Sequence, residues 1–130
     1  MYLRFISPFR SRWKNVDYGI FQAAFKCRDE ELIPNYLLDQ LFTQVDWFKR
    51  YLPSPDERHF QYRGGKPNGI CWFKSDAKAM IRRARHMADI MQAGDVFITE
   101  TKTKKPGHIL YRDDFQIIAK PNQSTPTKWG

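Results

Sequence analysis

Cysteine is scarce in this chain: Cys27 and Cys71 are the only two among 130 residues. Neither lies in a C-x-x-C pair, and neither has histidines beside it at zinc-ligand spacing, so the chain is not a disulfide scaffold or a zinc module. Both are read as buried free thiols. Long apolar runs are missing as well. No window approaches the ~18 apolar residues of a membrane-spanning helix. Residues 1–8 carry too short an apolar stretch for a signal peptide and no small-residue cleavage site, so the expected location is cytoplasmic. There is no polybasic run, no internal repeat and no H-E-x-x-H. The Walker spacing is absent too, and no motif names a reaction, a metal or a cofactor.

What is present is charge and aromatic mass. Lys and Arg number 22 against 14 Asp and Glu, a formal charge of +8, and 10 Phe, 6 Tyr and 4 Trp supply large side chains for a core. A chain of this length forms one domain and buries roughly two-thirds of its unfolded surface without staples. The positive excess falls on residues 1–18 and on the second half, while residues 19–55 hold four bases and five acids. Such a bias points to an acidic partner, nucleic acid or protein.

Hydrophobic periodicity gives the elements. Strands are expected at residues 2–6, ended by Pro8, and at 69–74. Helices follow from i, i+3, i+4 stripes at 20–27 and at 34–52, with Pro34 in the first helical position. A third helix is expected at 76–92, capped by the Ser75 hydroxyl at its start and by Gly94 at its end. Strand 96–101 and a hairpin of 108–112 with 115–120 across Asp113-Asp114 complete the order β-α-α-β-α-β-β-β. The expected fold is a single α+β domain over residues 1–120, a mostly antiparallel sheet with helices on one face, and a flexible tail at 121–130. The step from residue 70 to 101 allows one parallel crossover.

In the third helix Ala77, Met80, Ile81, Ala84, Met87, Ala88 and Met91 face inward, which reads the methionine stripe as core. Lys78, Arg82 and Arg85 lie outside on successive turns, where they serve either as a solvated face, with an Arg85–Asp89 pair, or as phosphate contacts. Further anion-binding candidates are Arg10, Arg12 and Lys14 in an arm interleaved with aromatics, and Lys102, Lys104 and Lys105 in a basic turn. Arg63 and Lys66 join them in a glycine-rich loop that precedes a strand, where a P-loop would precede a helix. A second candidate cluster is Lys74, His108, Tyr111, Asp113, Asp114 and Gln116, gathered near one strand end. Asp113-Asp114 is read as a turn more readily than as a Mg²⁺ ligand pair. His59 and His108 would act as an acid/base pair only if the fold brought them within reach.

Three segments, Gly19-Ile20-Phe21-Gln22-Ala23-Ala24-Phe25, Gly69-Ile70-Cys71-Trp72-Phe73-Lys74 and the stretch from Pro106 to Ala119, together resemble a group of small uncharacterised bacterial proteins of similar length. The resemblance covers Leu3 to Pro121. It implies a bacterial origin and a single-domain extent, and supplies no activity and no site residues.

The expected function is a non-enzymatic binding or regulatory domain for an acidic partner. Two alternatives stand beside it: an enzyme acting on a nucleotide or phosphate-bearing substrate, and an immunity- or antitoxin-like inhibitor of a partner protein. The sequence leaves enzymatic activity, oligomeric state and partner identity undecided.

Overall fold

In the computed structural model, which describes residues 1–11, 16–60 and 69–130, six strands and three α-helices build one α+β domain. The strands are β1 (Tyr2–Arg10), β2 (Asp17–Gly19), β3 (Ile70–Lys74), β4 (Thr99–Thr103), β5 (His108–Arg112) and β6 (Gln116–Lys120). The helices are α1 (Ile20–Asp29), α2 (Asn35–Tyr51) and α3 (Lys78–Ala93). The order matches the expected one, with the short β2 added before α1.

Among the described residues every hydrogen-bonded strand pair is antiparallel. β1 is central: Tyr2 pairs with Lys74 of β3 and with Thr103 of β4, so these two strands flank it on opposite edges. They therefore run parallel to each other with β1 between them, and α3 makes the crossover. β6 follows β3, and β5 closes that side.

Alternation decides the faces. Leu3, Phe5 and Phe73 point to the helices and join Leu41, Phe48, Met80, Ala84 and Met87 in the main core. Ring contacts run from Phe5 to Phe73 to Phe48 and on to Phe21 and Trp47. On the other face Ile70, Trp72, Ile117 and Ala119 form a second cluster, with Tyr2, Val16 and Ile109 against it. The methionine stripe is core, as periodicity expects.

Several boundaries differ from the sequence expectation. β1 runs past Pro8 to Arg10, because Pro8 is exposed and sits where the β1–β2 register shifts, so no ladder donor is missed. α3 begins at Lys78 without a side-chain cap: the backbone turn from Lys74 to Ala77 lies between Ser75 and the helix. At its end Gly94 is the C-cap, where any side chain would strike Ile33, 2.4 Å away, while Asp95 takes the left-handed turn at φ 67°. Val96 then donates to Met91 O and is buried in the core, which delays β4 to Thr99 and draws Lys102 out of the expected turn into the ladder. Pro34 sits at the N-cap of α2, one residue before the helix.

Residues 121–130, expected as a flexible tail, carry defined contacts. Thr125 is buried, Thr127 O accepts from Asp17 N, and Trp129 donates through its backbone N to Asp17 Oδ2 and through Nε1 to Phe97 O. Cys27 is buried, whereas Cys71 is half-buried and donates to Gln116 Oε1.

Candidate functional site

The expected basic face of α3 takes shape as one wall of a groove of about 740 Å³. Lys78, Arg82 and Arg85 contribute from successive turns of α3, and Lys102 stands opposite on β4. A rise of roughly 1.5 Å per residue separates Lys78 from Arg82 by about 6 Å along the axis. Leu3 and Ile81 floor the groove, and His86 and Asp89 extend it. Lys102 and Glu100 point the same way, because they lie two apart on β4 and pair with Leu3 and Phe5 of the helix-facing side.

Arg85 does not pair with Asp89. Its Nε and Nη2 grip Glu100 at 2.6 and 3.0 Å, a bidentate contact that the fold creates by setting β4 beside α3. The hydrogen bond from Arg85 holds the Glu100 carboxyl below its ordinary value, with the nearby Lys102 helping, against a smaller opposing effect of burial. None of the ion pairs among the described residues uses Lys78, Arg82 or Lys102. Arg83 turns the other way, bonding Gln44 Oε1 at 3.1 Å and stacking 4.6 Å from the Trp47 ring, so it fastens α3 to α2.

Among the other candidate cations, Arg10, Lys104 and Lys105 do not converge on this groove. Arg10 lies seven residues along β1 from Leu3, about 23 Å at 3.3 Å per residue. Lys104 and Lys105 are exposed in the β4–β5 connection, where Lys105 N bonds Thr103 Oγ1. Arg12, Lys14, Arg63 and Lys66 fall outside the described residues.

The second candidate cluster assembles in part, around Asp113. Asp113 Oδ1 accepts from the backbone N–H groups of Phe115 and Gln116, and Oδ2 accepts from Tyr111 Oη at 2.8 Å and Gln116 Nε2 at 3.1 Å. Lys74 Nζ donates to Asp113 O, and Gln116 Nε2 also reaches Pro53 O. Asp114 is exposed and takes no part. His108 is exposed at the opposite end of β5, three residues and about 10 Å from Tyr111. His59 instead stacks on Tyr111, with ring centroids 5.5 Å apart, so the two histidines do not meet as an acid/base pair.

These groups saturate one another. The Tyr111 phenol, bonded to the Asp113 carboxylate, is held above its ordinary value, and desolvation pushes the Cys71 thiol up to about 12. A protonated phenol and a protonated thiol locked in hydrogen bonds lock a turn and do not make a nucleophile. Sequence reasoning missed Cys71, His59 and Pro53 as members: the pairing of β3 with β6 brings Cys71 to Gln116, while Pro53 and His59 reach Gln116 and Tyr111 from the connection between α2 and β3. Among the described residues no group of three or more His, Cys, Asp or Glu could hold a metal ion, and no helix is long and apolar enough to cross a membrane.

The fold and its groove thus define a small α+β domain with a cation-lined cleft beside one edge of its sheet. No protein family, curated protein or solved structure matches the chain.

Proposed function

We propose that this protein is a non-enzymatic module that binds the phosphate backbone of nucleic acid along the α3–β4 groove. The observation that carries the reading is the convergence of Lys78, Arg82 and Lys102 on one groove with no ion-pair partner among the described residues, while the adjacent Arg85 is engaged by Glu100. Cations that face one another across a groove repel, and an anion relieves that repulsion. A polyanion with regularly spaced charges suits cations on successive helical turns better than a single small anion does. The saturated hydrogen bonding around Asp113 favours binding over catalysis.

Fluorescence anisotropy with labelled single-stranded and duplex oligonucleotides tests the reading. Three phosphate contacts give a log–log salt slope of roughly −2 to −3, and Arg82→Gln or Lys102→Gln should each reduce it by about 0.7–0.9 while weakening binding to all sequences alike. Salt-independent binding, or an unchanged slope in both variants, would refute it. Equal competition by poly-glutamate would move the assignment to an acidic protein partner.

A further inference from the structure

β1 changes partners along one edge. β3 pairs with Tyr2 and Leu3, β2 pairs with Ile6 and Arg10, and on that edge neither Arg4 nor Phe5 has a strand partner among the described residues. A cavity of about 350 Å³ opens at this gap, distinct from the α3–β4 groove.

Three features of the cavity point the same way. Arg4 lines it and is only 7% exposed; its Nη2 donates to Asp17 O at 2.9 Å, and its Nη1, fully buried, has no hydrogen-bond partner among the described residues. Asp17 meets Arg4 through its backbone O, and its carboxylate accepts from Trp129 N on Oδ2 with no bond to Arg4 Nη1. Burial lowers the guanidinium to about 10, with Cys71 and Asp17 opposing, so it stays charged at neutral pH. Second, Gly19, Ile20, Phe21 and Gln22 line the cavity, and they are the N-cap and first turn of α1. That ten-residue helix has no acid in its first turn and, among the described residues, no side-chain cap for its first amides. Third, Phe21, Phe60 and Phe73 supply apolar walls.

We propose that this cavity is a binding site for a small organic anion, its oxyanion head between Arg4 Nη1 and the start of α1, its apolar body against the phenylalanine rings. A buried cation lacking one hydrogen-bond partner is costly to keep, and a carboxylate or phosphate ester would supply both the charge and the acceptor. The volume lies at the small end of ligand pockets, roughly 300–1,000 Å³, which suits a single-ring acid. The site is independent of the nucleic-acid reading.

Gly19 offers a clean perturbation. Its backbone, at φ −72° and ψ −179°, is extended and accepts any residue, and a methyl group there would stand 3.5 Å from Arg4 Nη2, in ordinary contact. Calorimetric titration of the full chain should use phenylacetate and phenyl phosphate, with acetate, inorganic phosphate and benzyl alcohol as comparisons. The aromatic anions should bind once per chain, at least ~10-fold more tightly than the other three, because ring burial adds to head-group attraction. Phenylacetate or phenyl phosphate as the tighter of the two would identify the head group, and either supports the site. Gly19→Val should weaken that binding at least ~10-fold by filling the wall, and Arg4→Met should abolish it. Should Arg4→Met fail to fold, Gly19→Val, which retains Arg4, decides. No saturation by either aromatic anion below about 10 mM, equal binding of acetate or phosphate, or unchanged affinity in Gly19→Val would overturn the proposal.

Discussion

Replacing Asp113 with alanine should lower the melting temperature by about 7–15 °C, and the magnitude follows from the bonds it makes. The carboxylate takes two backbone N–H donors on Oδ1 and the Tyr111 hydroxyl and Gln116 amide on Oδ2. A hydrogen bond to a charged acceptor contributes about 1.5–3 kcal/mol when buried, and the half-buried setting lets water replace part of it, which leaves a net loss of about 2–4 kcal/mol. Unfolding entropy near 2.1 cal/mol/K per residue gives roughly 270 cal/mol/K for 130 residues, which converts that loss into the stated shift. Asp113→Asn keeps an oxygen for the backbone donors but turns an amide toward Gln116 Nε2, and should lose about 1–2 kcal/mol. The pH dependence gives an independent check. Burial alone would raise the carboxyl, but its hydrogen-bond donors together hold it below the ordinary 3.8. A folded-state value below the unfolded one adds stability that is complete above about pH 5 and is lost as the pH falls through and below about 4. The stability gap between wild type and Asp113→Asn should therefore shrink as the pH falls from about 5 to below 4, while the Glu100 contribution, present in both, cancels. Urea and thermal melts followed by near-ultraviolet circular dichroism measure both effects. An alanine variant melting within about 2 °C of wild type, or a gap that stays constant down to pH 3, would refute the turn-lock account.

Gly107 sits at φ +108° with Lys120 O where a side chain would begin, 2.1 Å away, so Gly107→Ala should cost at least ~2 kcal/mol in urea melts. Arg83→Ala removes the bond to the buried Gln44 and the stack on Trp47, and should lose about 1–2 kcal/mol, with Trp47 fluorescence altered. Arg85→Ala leaves Glu100 unpaired at a partly solvated edge; its loss should stay below about 1 kcal/mol and diminish at high salt in the same melts. The expected order, Arg83→Ala worse than Arg85→Ala, separates a structural arginine from a surface one only two residues away.

Much of this protein is legible without coordinates. The stripe of Met80, Ile81, Ala84, Met87 and Met91 needs only a period of 3.6, and it marks both the core face of α3 and the outward set Lys78, Arg82 and Arg85. Alternation along residues 2–6 likewise sorts Leu3 and Phe5 from Arg4, and Asp113-Asp114 between two apolar runs marks the hairpin. These are short-range properties, set by neighbours a few residues apart. Partners across strands are another matter, because nothing local specifies which edge meets which. Only tertiary pairing sets Lys102 opposite Arg82, engages Arg85 with Glu100 instead of Asp89, and joins Gln116 to Cys71 and Pro53. The same holds for Arg4: periodicity assigns its face, but the gap between β2 and β3 decides that its guanidinium is buried beside a cavity, with one nitrogen unpartnered among the described residues.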